Sequence, residues 1–163
     1  MNKKYIIDSN IFITAHRQIY PFDIAPGFWE QIIKKGANQI IIIEPVNDEI
    51  AKGKDILTDW YLENKDQFEQ LKIPDQIVLE SYKDIINHVN TNDQYKQSAK
   101  YEFASIADSW LCAYGLAYDY TIVTLEKYQE GAKKRILIPN ICKDFGINYI
   151  DLLQFMRELS FKL

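Results

Sequence analysis

Short apolar runs recur along the chain and stop abruptly at polar residues. Tyr5-Ile6-Ile7 ends on Asp8, Ile40-Ile41-Ile42-Ile43 is an unbroken β-branched stretch, and Tyr120-Thr121-Ile122-Val123-Thr124 is a third. Continuous runs of this length suit strands covered on both faces, as in a parallel sheet. Ile147-Asn148-Tyr149-Ile150, introduced by Gly146, reads as a last strand. Ile136-Leu137-Ile138, stopped by Pro139, reads either as a short extra strand or as an extended connection.

Between these runs the spacing becomes helical. Phe28, Trp29, Ile32 and Ile33 share one face of a segment ended by Gly36. Tyr82, Ile85, Ile86 and Val89 lie on a longer helix starting near Pro74, and Leu152, Met156, Leu159 and Leu163 mark a C-terminal one. Small and apolar residues from Ala104 to Tyr118 predict a buried helix. Strands alternating with helices predict an α/β domain with a parallel sheet. Residues 54–103 lack an obvious strand and read as an inserted helical region. The loop Tyr20–Gly27, with two prolines and two aromatics, is either a packed connection or the rim of a cleft.

At 163 residues and 47% hydrophobic content, one domain with a packed core is expected over 1–163. No apolar stretch approaches the ~18 residues of a spanning helix. Met1-Asn2-Lys3-Lys4 is basic, but the apolar run behind it breaks at Asp8, unlike a signal peptide. A cytoplasmic protein with no membrane association is expected. Cys112 and Cys142 form no CxxC pair and read as buried free thiols. A net charge of −4 disfavours a grip on nucleic acid by bulk charge. It leaves a metal nuclease open, because part of that charge would belong to the metal site. HExxH, P-loop, GxGxxG and GxSxG motifs are all absent from the sequence.

The chemistry lies in the acids. Asp8 closes the first apolar run, and parallel α/β sheets bind ligands beyond strand carboxyl ends, where strand order reverses. Glu49, Asp108 and Glu126 occupy comparable places. Carboxylates converging on one crevice repel unless a cation or shared protons compensate, and a divalent metal is the simplest compensation. Each acid also has a local explanation. Asp8 suits a helix cap. Glu44, Asp48 and Glu49 suit the first turn of a helix opened by Pro45. Asp108 completes a capping box with Ser105, although its apolar neighbours leave a carboxylate there in need of a partner. Glu126 can pair with Lys127. Asn10 stands where it can orient Asp8, and Thr124 where it can offer a hydroxyl. Ser9 is expected to bond local backbone. Lys133, Lys134 and Arg135 read as a solvated loop, or as phosphate contacts if the site binds RNA. His16 and His88 suit surface or cap roles.

These acids occur in a familiar order. The chain resembles the PIN-domain family of metal-dependent ribonucleases, in a PIN-like prokaryotic branch. The matching segments are IIDSNIFI around Asp8, EPVNDEI around Glu49, ADSWLCAYG around Asp108, IVTLE around Thr124 and Glu126, and the C-terminal FGINYIDLLQFMREL. The resemblance implies a three-layer fold, an acidic Mg²⁺ or Mn²⁺ site and phosphodiester hydrolysis, usually of RNA. Many small prokaryotic members are toxins neutralised by a cognate antitoxin protein. By position, Asp8, Glu49, Asp108 and Glu126 become the catalytic and metal-binding acids. The fourth position is typically Asp in that family; Glu126 is longer and reaches the metal directly or through water.

The expectation is therefore a metal-dependent endoribonuclease of single-stranded RNA, with Asn10 and Thr124 in support and Tyr20, Phe22 and Tyr128 as rim aromatics. A homodimer is compatible with the sequence. The alternative is a catalytically inactive PIN-like protein serving as an RNA- or protein-binding module. A metal phosphatase is a weaker third reading, because Asp8-Ser9-Asn10 lacks the second acid of a DxDxT pattern.

Overall fold

The structure is a computed structural model that describes residues 3–163; Met1 and Asn2 of the basic start lie outside the described residues. Five strands form one sheet: β1 (Tyr5–Ile7), β2 (Ile40–Ile43), β3 (Glu69–Leu71), β4 (Thr121–Val123) and β5 (Tyr149–Ile150). Their order is β3-β2-β1-β4-β5, and every pairing is parallel. Tyr5 faces Ile40 on one side and Thr121 on the other, and Ile7 faces Val123. The chain thus winds outward from β1 through β2 and β3, then returns to β1's other side for β4 and β5. The reversal point lies between β1 and β4.

Among the described residues, nine α-helices connect or follow these strands: α1 (Ser9–Thr14), α2 (Pro26–Gln31), α3 (Glu44–Ala51), α4 (Ile56–Asn64), α5 (Gln76–Thr91), α6 (Gln97–Ser105), α7 (Ala107–Tyr118), α8 (Ile138–Phe145) and α9 (Leu152–Glu158). Wide π-type turns prolong α1 to Ile19 and α2 to Gly36. Helix α3 packs on α1 and α4, whereas α7 packs on α5, α6 and α8. Right-handed crossovers from a reversing strand order place these groups on opposite faces of the sheet. The result is the three-layer α/β architecture expected, around a core that includes all of Ile40–Ile43 and Ile6.

One expectation is corrected. Residues 54–103 are not a purely helical insertion, because β3 lies inside them and completes the sheet edge. Its sequence, Glu69-Gln70-Leu71, is half-exposed and polar, which suits an edge and hides it from an apolar-run criterion. Of the two readings of Ile136-Leu137-Ile138, the connection holds for Ile136-Leu137, while Ile138 and Pro139 open α8.

The aromatic loop before α2 is mostly a packed connection. Phe22 stacks on Trp29 at 4.2 Å between ring centroids, within a group that includes Phe12 and Trp60. Tyr20 stacks on Phe28 at 4.5 Å. On the other face, α7 approaches the sheet closely at Gly115. A Cβ there would lie 2.8 Å from Ile147 Cγ2 and 3.2 Å from Ile122 Cδ1. This close approach seats the helix that carries Asp108. Among the described residues, no helix is long and apolar enough to cross a membrane.

Candidate active site

The backbone of Asp8 still belongs to the sheet, its N–H donating to the Val123 carbonyl at 3.0 Å. Its carboxylate projects past the strand end at the reversal point. The residue has the extended backbone of a helix cap, yet its side chain makes no capping hydrogen bond. Instead Thr124, immediately beyond β4, donates its hydroxyl to Asp8 Oδ2 at 2.9 Å, across 116 residues of sequence. The same Thr124 Oγ1 accepts the Glu126 backbone N–H at 3.1 Å. One hydroxyl therefore fixes the ends of both strands bordering the reversal point.

Glu49 comes from α3, and Ser9 at the start of α1 donates its hydroxyl to Glu49 Oε2. Ser9 was expected to bond local backbone; it ties the first helix to the second acid instead. Asp108 is the second residue of α7, whose cap position is Ile106. The capping box with Ser105 does not form, because the Ser105 hydroxyl donates to the Glu102 carbonyl. Asp108 is buried, and its Oδ2 has no hydrogen-bond partner. Glu126 does not depend on Lys127. Its carboxylate receives the Ile138 N–H and the Arg135 guanidinium, each at 3.4 Å. Arg135 also lies 3.8 Å from Glu102.

The four acids share one field. Burial raises the Asp8 pKa from 3.8 to about 6, with the charges of Glu126 and Glu49 adding to the rise and the Thr124 hydroxyl opposing it. Burial is also the main cause at Asp108, raised to about 8; Asp8 and Glu126 push it further, and Arg135 pulls it back. Glu126 is raised by burial and held down by Arg135 and the Ile138 N–H. Two buried aspartates with raised pKa values at a strand-order reversal form a functional-site candidate on physical grounds.

The remaining expected residues divide. Thr124 joins the cluster; Asn10 is exposed on α1 and makes no side-chain hydrogen bond to the acids among the described residues. Lys133 and Lys134 are exposed, as expected of a solvated run. Arg135 departs from that reading, since it already neutralises Glu126. Its role has no signature in sequence, because the stretch from Leu125 to Leu137 lacks helix or strand periodicity. His16 and His88 pair with Asp55 at 3.9 Å and with Asp144 at 2.9 Å. Cys112 and Cys142 are buried free thiols, as expected, and they lie against each other beneath the acids.

The donor set suits a hard divalent cation. All four groups offer carboxylate oxygen, and Asp108 Oδ2 is buried without the partner that a buried carboxylate needs. Among the described residues, however, no three His, Cys, Asp or Glu side chains are grouped closely enough to cage a metal. Within the set, Glu49 is held by Ser9 and Glu126 by Arg135. One or two direct carboxylates, with water and substrate completing the shell, is the usual arrangement for Mg²⁺. Asp8 and Asp108 fit that part.

Comparison with curated proteins returns no match. The family model described as Domain of unknown function (DUF4411) matches residues 5–163, and the chain belongs to that family.

Proposed function

We propose that this chain is a PIN-like endoribonuclease that hydrolyses single-stranded RNA with Mg²⁺ or Mn²⁺. The observation that carries the reading is the pair of buried aspartates at the β1/β4 reversal, one with an unpartnered oxygen. Asp8 and Asp108 would hold the cation. When bound, it supplies charge neutralisation at the phosphate and lowers the pKa of nearby water.

The chain's own groups then divide the work. Thr124 holds Asp8 in one orientation, so that the carboxylate need not reorganise when substrate arrives. Glu49 is the most exposed of the four acids and can take a proton from attacking water. Arg135 keeps Glu126 ionised and offers part of its guanidinium, half exposed, to a phosphate. Water adds to phosphorus, one P–O ester bond breaks, and the leaving oxygen takes up a proton. In this reading RNA is the substrate, and a cognate antitoxin protein is the partner suggested by the PIN resemblance.

The test uses mixed pools of RNA and DNA oligonucleotides with Mn²⁺ or Mg²⁺, with and without chelator. Metal-dependent loss of full-length RNA, abolished by Asp8→Asn, is expected. RNA left intact by the parent, or cleavage surviving both chelator and Asp8→Asn, refutes it. A second reading, a catalytically inactive binding module, draws support from the Arg135–Glu126 pair and from the loose spacing of the acids. It expects RNA binding without cleavage at any metal concentration.

A further inference from the structure

A hollow of about 760 Å³ opens beside the acids, between the ends of β4 and β5 and the first turns of α9. Thr124 and Glu126 belong to its wall, so it is continuous with the candidate active site. Its volume falls within the ~300–1,000 Å³ of small-molecule sites. Its lining includes three tyrosines from three separate segments, Tyr20, Tyr128 and Tyr149. Tyr128 and Tyr149 are exposed, at 40% and 38%. Large aromatic rings left in water beside a polar site call for an occupant.

We propose that this hollow is a nucleobase subsite, which takes an unpaired base of the nucleic-acid strand next to the phosphate held at the acids. The proposal rests on the nuclease reading and names where the substrate's base goes. Tyr149 is the stacking platform. Lys143 lies over the Tyr128 ring, 4.2 Å from its centroid, and places a cation at the rim. Lys127 and Arg157 also line the hollow, and neither forms an ion pair among the described residues. The acidic wall residues are already engaged: Asp151 accepts the Gln154 N–H as the cap of α9, and Glu126 pairs with Arg135. Rings for stacking and free cations beside engaged carboxylates complement a base joined to phosphates. A lipid or an apolar peptide would use the rings and leave the cations unmatched. Stacking on tyrosine requires a base free of its duplex partner, so the occupant is single-stranded.

The experiment measures binding of fluorescein-labelled rA6 and of an abasic ribose-phosphate hexamer by anisotropy, in chelator, so that no cleavage intervenes. The parent should bind rA6 more tightly than the abasic strand. Tyr149→Ala should weaken rA6 binding about 5- to 150-fold and leave abasic binding unchanged, with Tyr149→Phe near the parent. Arg157→Ala, at an exposed helical position, should reduce the slope of log K against log salt by about 0.7, one phosphate contact. Equal affinity for rA6 and the abasic strand, or full affinity in Tyr149→Ala, overturns the subsite. So does self-association through this face, seen as a dimer in sedimentation that Leu153→Glu disperses while RNA binding is absent. Base-dependent binding without Mn²⁺-dependent cleavage would sink the nuclease reading and keep the subsite; cleavage with base-independent binding would do the reverse.

Discussion

Replacing Asp8 by Asn should stabilise the metal-free protein. The shape of the side chain is kept, and Asn Oδ1 can still accept the Thr124 hydroxyl now donated at 2.9 Å. What disappears is a buried charge near Glu126 and Glu49. The folded pKa of Asp8 rises from 3.8 to about 6. That is about two units, or about 3 kcal/mol at ~1.4 kcal/mol per unit. Because the folded pKa is raised, the associated stability is complete below about pH 4 and is lost as pH climbs through about 6. Parent and variant should therefore melt together near pH 4 and diverge toward pH 8. For a chain of this size, 1 kcal/mol moves Tm by about 2–4 °C, giving a rise of about 6–12 °C at pH 8 in chelator. Scanning calorimetry or fluorescence melting across pH 4–8 measures it. Adding Mn²⁺ at a hundredfold its Kd should raise the parent by about 2.7 kcal/mol and the variant by little. An Asp8→Asn protein that melts several degrees below the parent at pH 8 would show the Asp8 charge to stabilise the fold, and the site argument would fail.

Arg135→Ala should have the opposite sign. Arg135 lowers the pKa of both Asp108 and Glu126, so its loss raises both further and should lower the metal-free Tm at pH 8 but not near pH 4. Replacing Lys133 and Lys134 together by Ala should flatten the salt dependence of RNA binding while leaving cleavage at saturating RNA intact, because both are exposed and away from the acids' hydrogen bonds; an unchanged slope removes them from the substrate path. Gly115→Val should destabilise by about 1–3 kcal/mol in chemical denaturation, since its first new carbon meets Ile147 Cγ2 at 2.8 Å. The same variant should lose metal-induced stabilisation if α7 is displaced with Asp108; retained Mn²⁺ stabilisation would show that the cluster tolerates movement of that helix.

Much of the fold was legible because burial on both faces leaves a local trace. Ile40–Ile43 and Tyr5–Ile7 are apolar at every position, as strands beneath two helical layers must be, and both are central strands. The α7 segment is small and apolar all round for the same reason, and Asp108 stands out against it. An edge strand leaves no such trace: Glu69-Gln70-Leu71 joins the sheet through its backbone, which polar residues can do as well as apolar ones. The acids could be picked out by their places after strands and inside helices. Their actual partners could not: Thr124 lies 116 residues from Asp8 and Ser9 40 from Glu49, while Arg135, nine residues from Glu126, reaches it across a loop without periodicity. Sequence by itself determined which segments are buried and where their carboxylates fall. Only the tertiary structure decided that β4 returns beside β1, and that return brings Thr124 onto Asp8, leaves Asp108 Oδ2 buried without a partner and opens the hollow beside Tyr149, since hydrogen bonds and repulsion depend on distance in space rather than along the chain.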